Sequence, residues 1–130
     1  MFNFGWKTKA IGFVVLLAVG FAYSLYAKEQ NAGYAKAPQV GDVYTVKLKS
    51  FFPSDNQSSY PYGVMKIESV QNGQVTFNIA SARFGNAKSV RKSLSADGGK
   101  PDFYSGDTLD VEVDTLAGLV ESDGITDISR

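Results

Sequence analysis

A chain of 130 residues carries thirteen bases against thirteen acids, no net formal charge, and neither histidine nor cysteine. Without cysteine it has no disulfides and no lipid anchor on an N-terminal cysteine, so any folded part must rest on its apolar core. The missing histidine removes the commonest metal ligand, the commonest general base and the usual switch near neutral pH. The even charge balance argues against a nucleic-acid binder, which would present a net basic face.

Residues 10–27 form a charge-free, mostly apolar run, with Lys7 and Lys9 before it and Lys28 and Glu29 after it. As a helix rising ~1.5 Å per residue the run is about 27 Å long, close to the ~30 Å hydrocarbon core of a bilayer. The spacing predicts an uncleaved transmembrane signal anchor over 10–27 that contacts the lipid bilayer. Positive charge beside a first span stays inside, which makes 1–9 a cytoplasmic N-terminus. Phe2, Phe4 and Trp6 precede the run, and Tyr23 and Tyr26 lie toward its far end, where aromatic rings suit both headgroup levels. A cleaved secretory signal is the rival, with a small-x-small site at Ala22-Tyr23-Ser24. Both readings export the rest of the chain. The expected setting is a bacterial inner membrane, with the bulk of the chain in the periplasm or outside.

Residues 28–37 are polar and lack apolar periodicity, so they read as a linker to one small domain over 38–130. The first strand signal is Tyr44, Val46 and Leu48 alternating with Thr45, Lys47 and Lys49. A hairpin follows around Asn72-Gly73. A two-residue loop would pair Val70 with Val75, set Glu68 opposite Phe77 and Lys66 opposite Ile79, and so mix charged and apolar residues on one face. A three-residue loop, Gln71-Asn72-Gly73, with a glycine bulge sets Ile67 opposite Phe77, Met65 opposite Ile79 and Ser69 beside Val75. The latter is the predicted register. Ser89 is expected to cap a short helix through Val90 and Leu94 to Gly98-Gly99. After a Ser105-Gly106-Asp107 turn, Leu109, Val111 and Val113 alternate with Asp110, Glu112 and Asp114 as a strand. Leu116, Leu119 and Val120 then fall at helical spacing, capped by Asp114 or Thr115 and ended by Gly124, and Ile125 to Ser129 reads as a short edge strand. The fold class is therefore mainly β: a small antiparallel barrel or bent sheet of four or five strands with one or two short helices. In layout alone it resembles SH3-like or OB-like barrels.

Candidate chemistry is sparse. Ser89 and Lys92 match a Ser-x-x-Lys pattern, but Lys88, Arg91 and Ser93 surround them in a solvated basic stretch, and no companion motif is present. Asp110, Glu112 and Asp114 are spaced too widely along a strand to wrap one ion, so no metal and no cofactor is expected. Their ordinary role is to keep a strand's outer face wet and guard an edge. The basic block of Arg83, Lys88, Arg91, Lys92 and Lys100 and the acidic block after it are expected to lie close and neutralise one another. The long loop 50–62 carries Phe51, Phe52, Tyr60 and Tyr62 around a polar tip, stiffened by Pro53 and Pro61. Rings beside small polar residues have the composition of a binding loop, and equally of a plug for one end of the core.

These residues point to a non-enzymatic, membrane-anchored protein-binding module, most concretely an anchored inhibitor or immunity-type protein. Its protein-binding candidates are Phe51, Phe52, Tyr60, Tyr62, Asp110, Glu112 and Asp114. An accessory subunit of a multi-protein envelope complex is the alternative, and an exported serine hydrolase using Ser89 a minor one. A reporter active only in the periplasm, fused after Arg130, should be active, and the mature chain should keep residues 1–27. A mature N-terminus at Leu25 would instead show a cleaved signal, and activity only with a cytoplasmic reporter would reverse the orientation.

Overall fold

The computed structural model describes residues 26–130, so residues 10–25 of the apolar run lie outside the described residues. No helix among the described residues is long and apolar enough to cross a membrane. Helix α1 (26–36) leads into β1 (Val43–Lys47), a single helical turn α2 (Leu48–Phe51), β2 (Tyr62–Gln71), β3 (Gln74–Ala80), α3 (Ala87–Asp97), β4 (Tyr104–Glu112), α4 (Val113–Glu121) and β5 (Ile125–Ser129). The five strands form one antiparallel sheet in the order β4-β3-β2-β1-β5. The sheet is mainly β as expected but open, with β4 and β5 as its edges, in place of a closed barrel.

Strand alternation explains both faces. Tyr44, Val46, Met65, Ile67, Val75 and Phe77 point to one side, where Leu116 and Val120 of α4 and Ala35 of α1 seal the larger core cluster. Val64, Ala80 and Phe84 point to the other, where Val90 of α3 and Phe103 complete a smaller one. Tyr44 and Phe77 meet edge to face at 5.0 Å in the centre of the larger cluster. Gly63 sits where Leu48 crosses the sheet, and a Cβ there would lie 2.5 Å from the Leu48 side chain.

The hairpin keeps the predicted core pairs through a different device. Asn72 and Gly73 both have positive φ, 53° and 76°, as a two-residue type I′ turn requires. Val70 therefore pairs with Val75 and Ser69 with Thr76, which corrects the three-residue loop. A bulge between Ile67 and Ser69 then shifts the ladder by one residue, so that Ile67 still faces Phe77 and Met65 still faces Ile79. The apolar face decided the register, and the extra residue moved from the turn into the strand.

Other boundaries shift for similar reasons. The expected linker 28–37 is mostly helix: Asn31 and Ala35 are buried, with Ala32 and Tyr34 packed on the core. Alanine and asparagine carry little hydropathy, so this face left no apolar period. Asn86, not Ser89, caps α3, its side-chain oxygen accepting from Ser89 N at 2.8 Å. Glu112 stands at the N-cap of α4 without a side-chain cap bond, so Val113 and Asp114 belong to that helix. Gly124 N closes the end of α4 onto Leu119 O, while Asp123 takes the left-handed position at φ 63°.

The edge strand β5 is closed by α1. Asn31 Oδ1 accepts from Ile128 N at 3.1 Å and Asn31 Nδ2 approaches Thr126 O at 3.5 Å. One side-chain amide thus stands in for the peptide of a neighbouring strand. Just beyond β5, Arg130 forks onto Asp42, with Nε–Oδ1 2.9 Å and Nη2–Oδ2 3.0 Å. It also donates to Ala37 O and stacks 4.3 Å over the Tyr34 ring.

The Tyr44 hydroxyl is buried without a hydrogen-bond partner. Burial raises its pKa, Asp42 raises it further, and Arg130 opposes both. A folded value above the ordinary 10.0 means the chain loses stability as the pH climbs past that value, because the unfolded tyrosine ionises first. Tyr44→Phe should therefore stabilise the fold by about 1 kcal/mol and blunt the alkaline loss, read from thermal melts at neutral and alkaline pH.

Candidate functional site

Loop 50–62 leaves the sheet where β1 ends and returns where β2 begins, and the four rings separate on the way. Phe51 is half-buried and meets Phe77 edge to face at 6.4 Å. Phe52 is also half-buried against the larger core cluster. Tyr62 opens β2, exchanges both main-chain bonds with Phe84 and packs on the smaller cluster. Tyr60 alone of the four stands out, 54% exposed. The two phenylalanines plug the core as the structural reading of the loop required, and Tyr60 is left to the solvent.

The tip does not hang free. Arg83, in the connection from β3 to α3, reaches back across the loop and meets Asp55 two-pronged, Nη1–Oδ1 at 2.7 Å and Nη2–Oδ2 at 2.8 Å. The same guanidinium donates to Tyr60 O from Nε at 3.1 Å and from Nη2 at 2.8 Å. The Arg83 hydrogen bonds hold the Asp55 carboxyl below its ordinary range, and Asp55 in turn raises Arg83. Backbone bonds Asp55 N to Phe52 O and Tyr60 N to Gln57 O fold the segment between into turns. The result is a preorganised loop presenting Tyr60 beside Asn56, Gln57 and Ser58, all exposed.

The acidic candidates lie on the far edge. Asp110 is on β4, where Thr76 Oγ1 donates to its Oδ1 at 2.7 Å from the neighbouring strand. Glu112 ends β4 and Asp114 is in the first turn of α4; all three acids are exposed. Phe51 is the link between the two regions: it shares a shallow groove with Leu109, Val111, Thr115 and Leu119 alongside Asp110 and Glu112. Tyr60 and Tyr62 belong instead with Arg83 and Phe84. The structure therefore makes two surfaces of the seven candidates.

The basic and acidic blocks interact without direct ion pairs: Asp97 raises the Lys100 pKa and Asp102 adds to it. Among the described residues Arg83 pairs with Asp55, Lys100 with Asp97, Arg130 with Asp42 and Lys28 with Asp123, and no ion pair joins the two blocks. Ser89 and Lys92 are both exposed on α3. Among the described residues no group of three acids could hold a metal ion. Arg83 and Asp55, which shape the loop, carried no signal in the sequence: their separation is long and neither stands in a motif. Comparisons with protein-family models, curated proteins and solved structures found no match.

Loop order should depend on the Arg83–Asp55 pair. The pair is intact above about pH 4 and is lost as the pH falls through the lowered Asp55 value. Arg83→Ala should speed amide exchange over residues 55–60 at neutral pH while leaving β2 and β3 protected. Unchanged exchange in the loop would show that the turns alone hold it.

Proposed function

We propose that this chain is a membrane-anchored, non-enzymatic module that binds a protein partner outside the cytoplasmic membrane, most concretely as an anchored inhibitor of immunity type. What supports this reading most is the loop 50–62, where a two-pronged ion pair holds a long polar tip in one shape and leaves Tyr60 exposed. Rings on a preformed loop bind at low entropic cost, which is what a capture surface needs. In this reading residues 10–27 supply the anchor, and Lys7 and Lys9 keep residues 1–9 inside. A solvated Lys92 lacks the desolvation that a Ser-Lys base requires, so the hydrolase alternative gains no support from α3.

The alternative, an accessory subunit of an envelope complex, draws on a different feature. Helix α1 takes in the last two residues of the apolar run, Tyr26 and Ala27, and is fastened to β5 through Asn31. A rigid joint would hold the domain at a set angle to the anchor, which suits a fixed place in an assembly more than capture of a diffusing partner.

With the partner recovered by pull-down from envelope extracts, Tyr60→Ala should weaken binding by about 2 kcal/mol, roughly thirtyfold, without lowering the melting temperature. Exchanging Asp110 and Glu112 together for lysine should slow association with a basic partner and flatten its salt dependence. Full-strength binding by both variants would remove both surfaces from consideration.

A further inference from the structure

The two edges of the sheet are finished differently. On β5 the main-chain groups of Thr126 and Ile128 that point away from β1 meet the amide of Asn31. On β4 no strand pairs with the outer edge among the described residues. Val113 N donates to Gly73 O, and the register pairs Val75 with Val111 and Phe77 with Leu109. Odd-numbered residues of β4 thus bond inward to β3, which directs the N–H and C=O of Thr108 and Asp110 and the N–H of Glu112 off the edge, while Glu112 O accepts from Thr115 Oγ1 at 2.7 Å. A bulge near Gly106, where Ser105 Oγ bonds Ile79 O and Gly106 N bonds Asn78 Oδ1, sets the limit of the regular stretch. Six residues, Asp107 to Glu112, remain, about 20 Å of template.

Each side of that template has its own chemistry. Toward α4, half-buried Leu109 and Val111 floor the groove that Phe51 and Leu119 wall. Toward the opposite face stand Thr108, Asp110 and Glu112, all exposed. No base occurs from Pro101 to Ser129, and no ion pair among the described residues engages Asp107, Asp110 or Glu112. A second copy laid on this edge would set acid against acid, which like-charge pairing across strands disfavours. The same acids favour a strand that brings cations.

We infer that the outer edge of β4 takes an extended segment of a protein partner in which basic and apolar side chains alternate, adding it to the sheet as a sixth strand. The apolar set enters the groove beside Leu109, Val111 and Phe51, and the basic set faces Asp110 and Glu112. Main-chain bonds to Thr108, Asp110 and the Glu112 N–H supply the pairing, in the manner of strand addition to an open sheet edge. This inference rests on the binding-module reading and names the partner chemistry at one of its two surfaces.

The probe is a blocked, fluorescent heptapeptide of alternating lysine and valine, titrated into the full chain in non-ionic detergent, with a glutamate-for-lysine peptide as control. The lysine peptide should bind saturably and about tenfold tighter than the control, and Asp110→Lys with Glu112→Lys should reverse that preference. Asp110→Pro removes one outward N–H and no main-chain bond to β3, only the exposed side-chain contact from Thr76 Oγ1, so it should weaken the lysine peptide about tenfold with an unchanged circular dichroism spectrum. Nuclear Overhauser contacts from the peptide should fall on Thr108, Asp110 and Glu112. Equal binding of the two peptides, contacts elsewhere, or self-association of the chain through β4 would overturn the inference. A natural partner whose capture depends on Tyr60 and not on Asp110→Pro would overturn it too, while leaving the binding-module reading in place.

Discussion

An open sheet has two edges, and in a domain without disulfides each exposed edge is a place where the fold can come apart or pair wrongly. Here the edge strand β5 has only five residues, Ile125–Ser129, and its bonds to β1 pass through an irregularity between Thr45 and Val46. What keeps it in the sheet is the closure from α1. The Asn31 amide answers its outward main-chain groups, and Arg130 ties its end to Asp42 and Ala37. Asp42 is 1% exposed, so its charge stays tolerable only while the Arg130 fork and Gln39 N are in place.

From that closure the remaining arrangement follows. With β5 fixed, α4 can run from the end of β4 to the start of β5 and bury Leu116 and Val120 over the sheet centre. The larger core then has a lid made of α1 and α4, into which Phe51 and Phe52 fit at the start of loop 50–62. Spending those two rings on the core leaves the loop tip to be shaped by polar contacts, which Arg83 provides. The β4 edge, on the far side of the sheet from α1, has no equivalent of Asn31 among the described residues. Binding capacity in this fold thus concentrates where the core has finished its own packing, at Tyr60 and along β4.

Much of the sheet could be read in advance because its signals are local. Alternation marks β1 and β4, and Asn72-Gly73 marks the hairpin. The pairing of Ile67 with Phe77 follows from putting apolar residues on one face, whichever turn closes the hairpin. A strand can absorb one residue at a bulge, and no pattern in Glu68 or its neighbours announces where. Helix α1 escaped notice because its buried face is built from asparagine and alanine, which register as polar or neutral. The rings mark the loop in the sequence, but which ring is free depends on Phe77 and Arg83, both distant in sequence. Long-range charge pairs such as Asp55–Arg83 and Asp42–Arg130 are properties of the fold, so charge blocks along the chain do not announce which residues pair.

The difference between the two edges is the centre of this account, and native-state hydrogen exchange on the full chain reads it residue by residue. The Ile128 amide should exchange slowly, at rates set by unfolding, and Asn31→Ala should accelerate it without comparable change at Phe77. The amides of Thr108, Asp110 and Glu112 should exchange fast beside slow neighbours at Leu109 and Val111. Equal protection at the two edges, or an Ile128 amide indifferent to Asn31→Ala, would contradict the account.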